Sequence, residues 1–133
     1  ATYLDRTACA PVAPVAVLEI HGTADDAVAY AGGTLDLGGG QTGGPYPGAK
    51  ASVATWAKYD GCSTSSVVNE HVDVDAHLVS ADGPAEASVM RWAGCRRGGA
   101  AELWTIPGGG HDQDISDAFA EAVLDFFEAH RKP

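Results

Sequence analysis

The sequence lacks long hydrophobic runs and has few basic residues. No segment reaches the ~18 consecutive apolar residues that a membrane-spanning helix requires, so we expect no membrane partner. Eight lysine and arginine residues stand against eighteen acidic ones, and the formal net charge is −10. That charge would repel the phosphate backbone of DNA or RNA. The composition indicates a soluble globular protein that binds neither a membrane nor nucleic acid.

Cysteine is also scarce, and its number is odd. The three cysteines, Cys9, Cys62 and Cys95, leave one thiol without a partner within the chain. The first residues have neither the basic nor the apolar segment of a secretory signal peptide. The chain is therefore either a mature protein or begins within a longer one, and its abrupt start favours the second. The 133 residues, 1–133, are the length of one domain.

Short apolar segments and amphipathic segments alternate along the chain. A parallel strand buried on both faces has a continuous β-branched run, and a half-buried strand alternates apolar and polar residues. Four segments have one of these patterns and are predicted strands: 14–22, 67–78, 87–93 and 101–106. Two segments have apolar residues at helical spacing and are predicted helices: 49–60 and 115–130.

The segment 32–48 differs from the rest, because eight of its seventeen residues are glycine and two are proline. So few side chains predict a long mobile loop. The order strand, helix, hairpin, strand, helix predicts the α/β class, with a short parallel sheet, an antiparallel hairpin and packing helices.

Two polar residues follow predicted strands at the end where open α/β sheets bind ligands. Asp25 comes after the first strand, and His111 comes after the strand at 101–106. Glycines beside both residues, such as Gly22, allow tight turns that bring the side chains together. An acid followed later by a histidine matches the end of the order Ser, Asp, His found in α/β-hydrolases. Asp26 is the alternative carboxylate, and His21 is expected to make a structural hydrogen bond.

Four motifs add a more specific signal, and they occur in the order 21–33, 56–62, 92–95 and 102–111. With them the chain resembles the C-terminal half of the extracellular polyhydroxybutyrate depolymerase and feruloyl/acetylxylan esterase family. Members of that family are secreted serine esterases with the α/β-hydrolase fold. The resemblance covers essentially the whole chain. It implies that Asp25 is the acid and His111 the base of a Ser-His-Asp triad, with no cofactor.

The same resemblance implies a disulfide between Cys62 and Cys95. Cys9 would then be unpaired within this chain, and its partner would lie in another segment. The resemblance also implies secretion and an ester substrate, which is a polyester, an acylated polysaccharide or a small ester.

The chain departs from the family pattern at the nucleophile. None of its seven serines lies in a Gly-x-Ser-x-Gly motif. The oxyanion-hole donors, which come from the residue after that serine and from an earlier loop, are missing for the same reason. Asp112 and Gln113 stand where the family commonly has Trp-Pro after the histidine, and Asp26 replaces a common proline. We therefore expect little or no triad chemistry from the isolated chain.

Two further possibilities remain open at this point. The first is a non-catalytic, truncated α/β-hydrolase-like module that acts in binding or assembly. The second is a metal site on the alternating face of residues 71–77, although solvated charges explain that face equally well. A partial sheet exposes an apolar edge, so we expect a homodimer, a domain swap or association with a missing N-terminal half.

Overall fold

The computed structural model describes residues 11–80 and 83–131, so Cys9 lies outside the described residues. Within them the chain forms six strands and two α-helices. In chain order these are β1 (Ala16–Gly22), β2 (Gly32–Gly38), β3 (Gln41–Pro47), α1 (Ala49–Tyr59), β4 (Thr64–Val72), β5 (Ala87–Ala93), β6 (Ala100–Ile106) and α2 (Phe119–Ala129).

Four of the strands form a mixed sheet in the order β1-β6-β5-β4. β1 and β6 are parallel, whereas β5 runs antiparallel to both of its neighbours. The register pairs Gly22 with Ile106, so the two parallel strands end side by side. The sheet contains the predicted parallel pair and the β4–β5 hairpin, and with its two helices it is compatible with the α/β class.

Each face of the sheet packs against one helix. Successive residues of a strand point to opposite faces, and those of β6 belong to two separate apolar clusters. Leu103 is fully buried in the cluster that contains Val53 of α1. Trp104, its neighbour in β6, is buried in the cluster that contains Phe126 of α2. β6 is therefore the centre of a helix–sheet–helix sandwich.

The prediction of a long mobile loop over residues 32–48 is wrong. This glycine-rich segment forms a separate two-stranded antiparallel sheet made of β2 and β3. Strand pairing uses backbone hydrogen bonds, so it does not require the side chains that this segment lacks. The turn passes through Gly38, Gly39 and Gly40, whose φ angles of 79°, 61° and 78° favour glycine. The Tyr46 hydroxyl anchors the hairpin by accepting a hydrogen bond from the Ala29 backbone N–H at 2.9 Å.

The alternating segment 67–78 forms a strand over only part of its length, because β4 ends at Val72. Beyond it, Asp75 Oδ1 accepts hydrogen bonds from the backbone N–H groups of His77 and Leu78, at 2.9 and 3.3 Å. A carboxylate bound to backbone two and three residues later forms a turn, and this turn ends the alternation. The alternation of apolar and polar residues gives no sign of such a turn, because the turn depends on hydrogen bonds from one side chain to the backbone.

The last helix begins at Phe119 instead of residue 115. Ile115 pairs with Asp75 in an isolated β-bridge, and Ser116 N donates to Val74 O at 2.8 Å. These backbone bonds hold the segment extended before the helix starts. As a result, Ile115 is 51% exposed and does not join the buried helix stripe.

A disulfide joins Cys62 to Cys95, as the family resemblance implied. Cys62 follows α1 and Cys95 follows β5, so the bond connects the helical layer to the sheet. Neither helix in the described part of the chain is long and apolar enough to cross a membrane.

Leu103→Ala should destabilise the fold strongly, because it opens a cavity between the sheet and α1. We expect a loss of about 3 kcal/mol in the free energy of unfolding, measured by urea denaturation. The matched control is Leu37→Ala in the hairpin, where the side chain is 62% exposed; its loss should stay below about 0.5 kcal/mol. Equal losses in the two variants would contradict this placement of the core.

Candidate functional site

The loops that follow β1 and β6 are joined by backbone hydrogen bonds beyond the ends of the strands. Thr23 N donates to Ile106 O and Ala24 N donates to Gly109 O, both at 2.9 Å. In return, Gly108 N donates to the Thr23 hydroxyl oxygen at 2.9 Å. The two loops are thereby held together at the carboxyl end of the parallel pair.

This close approach requires glycine at position 22. A Cβ atom on Gly22 would lie 2.2 Å from the carbonyl oxygen of Gly109, a contact that side-chain carbons do not make. Gly22 is also buried. The glycine that ends the predicted strand therefore has a second role, because it lets the His111 loop pass directly over the Asp25 loop.

Asp25 is held by its own loop. Its Oδ1 accepts hydrogen bonds from the backbone N–H groups of Val28, at 2.7 Å, and Ala27, at 3.0 Å. Its side chain is only 7% exposed. These two bonds fix the carboxylate while leaving Oδ2 available to side chains from other parts of the site.

His111 lies directly on this carboxylate. Its Nδ1 is 3.0 Å from Asp25 Oδ2 and 3.2 Å from Oδ1. A carboxylate can only accept, so Nδ1 carries the proton and donates it. Nε2 of His111 makes no hydrogen bond with any residue in 11–80 or 83–131. The neutral imidazole thus presents a lone pair at Nε2, which is the arrangement that a general base requires.

The two groups shift each other's titration. Burial raises the pKa of the Asp25 carboxyl, but hydrogen bonds from His111, Val28 and Ala27 outweigh burial and bring it below its ordinary value. The hydrogen bond to Asp25 and the negative charge of Asp25 raise the pKa of His111 above its ordinary value, and Asp112 and Asp26 add to the effect. The pair therefore favours an anionic Asp25 and strengthens His111 as a base.

A cavity of about 460 Å³ lies against the pair. Six consecutive residues of β1, 17–22, line it together with the hairpin, α1 and the His111 loop. Since consecutive strand residues point to opposite faces, the cavity runs along the edge of β1. That edge has no strand partner among the described residues, because β1 pairs only with β6. Its wall outside β1 includes Tyr46, Ser52, Trp56 and Gln113.

Sequence reasoning did not assign Tyr46, Ser52 or Trp56 to the site. Tyr46 lies in the segment that we predicted to be a loop, and its signal was an aromatic residue among glycines. Ser52 and Trp56 are one helical turn apart in α1, so they share a face. Trp56 is only partly buried and borders the cavity.

The alternatives considered for the site find less support in the geometry. Asp26 is exposed, and the hydrogen-bonded partner of His111 is Asp25. Within residues 11–80 and 83–131, no group of three or more His, Cys, Asp or Glu side chains is arranged to hold a metal ion. In the segment 71–77, Asp75 is buried, whereas His77 is exposed and contacts Asp114 at 3.1 Å.

Comparisons with protein-family models, with curated proteins and with solved structures find no match to this chain. The resemblance to the esterase family therefore stays a prediction. The geometry itself defines the site as an acid–base pair, Asp25 and His111, at the carboxyl ends of two adjacent parallel strands.

Gly22→Ala should separate the two loops, because the added methyl group collides with the Gly109 carbonyl. We expect the melting temperature to fall and the pKa of His111, followed by NMR, to move toward its ordinary value. Gly44→Ala is the matched control, since a Cβ there meets no atom within 4 Å. A Gly22→Ala protein with the wild-type pKa at His111 would contradict the close approach.

Asp25→Asn should lower the pKa of His111, because the amide keeps the loop hydrogen bonds but removes the charge. His111 with a raised pKa stabilises the fold fully below about pH 6.5, and that stabilisation is lost as the pH rises through the folded-state pKa. The lowered pKa of Asp25 contributes above about pH 3.8 and is lost as the pH falls through its folded-state value.

The stability gap between wild type and Asp25→Asn should therefore be widest from about pH 4 to 6.5 and shrink at higher pH. Urea denaturation at a series of pH values measures this gap. Asp36→Asn is the control, because Asp36 also bonds a backbone N–H two residues later, that of Gly38 at 2.8 Å, but it has no histidine partner among the described residues. A gap that does not vary with pH would contradict the pairing.

Proposed function

We propose that this chain supplies the acid and the base of a serine hydrolase of the α/β-hydrolase fold. The reaction is the hydrolysis of a carboxylic ester. The observation that carries the proposal is the Asp25–His111 pair, in which Nδ1 is bound and Nε2 is left to accept a proton. Its place after two adjacent parallel strands supports the proposal further, as does the family resemblance of the sequence.

The proposed mechanism is acyl transfer. His111 Nε2 removes the proton of a serine hydroxyl as its oxygen attacks the ester carbonyl, and it then gives that proton to the departing alcohol. His111 next removes a proton from water as the water attacks the acyl-enzyme, and it returns that proton to the serine oxygen when the acid leaves. Asp25 keeps the imidazole in the Nδ1–H tautomer and stabilises the cation that forms in each half-reaction. The reaction requires no cofactor.

The nucleophile would come from polypeptide outside the described residues. Ser52 is the serine that borders the cavity, but it is buried within α1 and lacks the exposed strand-to-helix turn that presents a nucleophile. The unpaired edge of β1 and the cavity along it leave space for a further strand beside Asp25. We propose that an N-terminal half of the protein occupies this space and supplies both the serine and the oxyanion hole.

The substrate class follows from the resemblance and from the cavity wall. We propose a polyester, a feruloyl or acetyl ester of a polysaccharide, or a small soluble ester. Tyr46 and Trp56 give the wall aromatic surface, which suits an apolar or aromatic acyl group. The disulfide between Cys62 and Cys95 supports secretion, because such bonds persist in oxidising compartments.

The rival function is a binding or assembly module without catalysis, and it too uses the edge of β1. An unpaired strand edge is a template for another strand. If the chain acts alone, we expect it to pair through this edge as a homodimer or by domain swapping, which light scattering would detect.

The isolated chain should not react with a fluorophosphonate probe, because its serines lack an activated position. Mass spectrometry of the labelled protein tests this, and Ser52→Ala is the control for the serine nearest the site. Co-expression with the upstream half of the gene product should restore labelling at a serine of that half and hydrolysis of an aryl ester.

His111→Ala in the reconstituted protein should reduce hydrolysis by about 10³-fold or more, since the base is lost. Labelling at Ser52 in the isolated chain would show that the nucleophile lies within it. A reconstituted protein that neither labels nor hydrolyses would favour the binding module.

A further inference from the structure

His21 is the residue that precedes Gly22 at the end of β1, and it contacts the acid loop twice. Its Nε2 lies 2.8 Å from the carbonyl oxygen of Val28 and 3.3 Å from Asp25 Oδ2. Val28 N–H in turn donates to Asp25 Oδ1 at 2.7 Å. Val28 therefore makes both contacts: its carbonyl oxygen is bound by His21, and its N–H binds the carboxylate of Asp25.

The proton on His21 follows from its partner. A carbonyl oxygen only accepts hydrogen bonds, so Nε2 of His21 must carry a hydrogen. That hydrogen is directed at the Val28 carbonyl, and Asp25 Oδ2 lies 3.3 Å from the same nitrogen. Nδ1, on the other side of the ring, lies 3.4 Å from Glu19 Oε1. Burial raises the pKa of the Glu19 carboxyl, and its interactions with His21 oppose that rise.

The ring of His21 has little freedom to leave this position. Its side chain is 12% exposed. It packs edge-on against Tyr30, with the ring centroids 5.5 Å apart and the planes at 83°. The Tyr30 hydroxyl is hydrogen-bonded to Thr105 Oγ1 at 2.8 Å, and Thr105 is the register partner of His21 in β6. The His21 ring that contacts the acid loop is therefore held in place by residues of the sheet and by Tyr30.

We propose that His21 is a positioning residue for the Asp25–His111 pair, acting through the Val28 carbonyl and through its contact with Asp25 Oδ2. Backbone N–H groups hold Oδ1 of the carboxylate, and His21 limits its rotation on the Oδ2 side. Asp25 then faces His111 Nδ1 with both oxygens, as the distances of 3.0 and 3.2 Å require. His21 does not itself touch the reacting atoms in this role.

This inference deepens the proposed function, because it concerns the acid–base pair on which that function rests. Its test needs no substrate and no nucleophile, so the role of His21 and the proposed hydrolase function can be contradicted separately. The charged and titratable neighbours are common to every variant: Glu19 and Tyr30 contact residue 21, and Asp26 and Asp112 act on His111.

Two amide substitutions test the proposal, because their side-chain nitrogen atoms lie at different distances from the backbone. In His21→Gln the side-chain amide nitrogen occupies about the place of Nε2, whereas in His21→Asn it reaches only the place of Nδ1. Both variants lose the ring and both remain polar. The ¹⁵N shifts of His111 report its tautomer, and its pH titration reports its pKa. Thermal melting of each variant checks that it is folded.

We expect His21→Asn to lower the pKa of His111 by about 0.5 or more and to shift its neutral form from the Nδ1–H toward the Nε2–H tautomer. His21→Gln should keep both properties close to those of the wild type. Three results would overturn the proposal: wild-type values in His21→Asn, a rise of the pKa in that variant, or equal losses in both. Equal losses would assign the effect to packing of the ring.

The wild-type chain provides a second measurement that does not depend on the folding of any variant. The ¹⁵N spectrum of His21 should show a hydrogen on Nε2 across the pH range in which the protein is folded. An Nδ1–H tautomer at His21 would leave the Val28 carbonyl without its donor, and the proposal would then be wrong.

Discussion

The parallel pairing of β1 with β6 is the constraint on which the rest of the structure depends. Its register ends both strands together, at Gly22 and Ile106, and backbone hydrogen bonds then continue into the two loops. Because the strands run the same way, their carboxyl ends meet at one edge of the sheet, and so do the residues that follow them. The contact between Asp25 and His111, 86 positions apart in sequence, follows from this pairing.

The pair also shows how a fold gives an ordinary histidine a defined chemistry. The Asp25 carboxylate is nearly buried, whereas the His111 side chain is 48% exposed, so the acid is fixed while the base stays accessible. Binding at Nδ1 decides the tautomer, and the tautomer decides that Nε2 is the atom able to accept a proton. The proposed esterase mechanism and the proposed role of His21 both depend on this asymmetry between the two ring nitrogens.

The cavity along β1 connects the chemistry to the unpaired edge of the sheet. β1 is mostly apolar, as expected of a parallel strand covered on both faces, yet β6 is its only strand partner among the described residues. Six of its seven residues are only partly buried, whereas six of the seven residues of β6 are buried. The same edge explains why we propose both a nucleophile from additional polypeptide and a tendency of the isolated chain to associate.

The sequence by itself determined the apolar strands 14–22, 87–93 and 101–106, the helix at 49–60 and the positions of Asp25 and His111, because these depend on local periodicity and on glycine at turns. Only the tertiary structure decided the rest. It paired the glycine-rich segment 32–48 into a hairpin, ended β4 at the Asp75 turn and extended Ile115 into a bridge. It also brought Tyr46 and Trp56 to the cavity. Each of these depends on contacts between segments distant in the chain or on backbone hydrogen bonds, which leave no periodic pattern in the sequence.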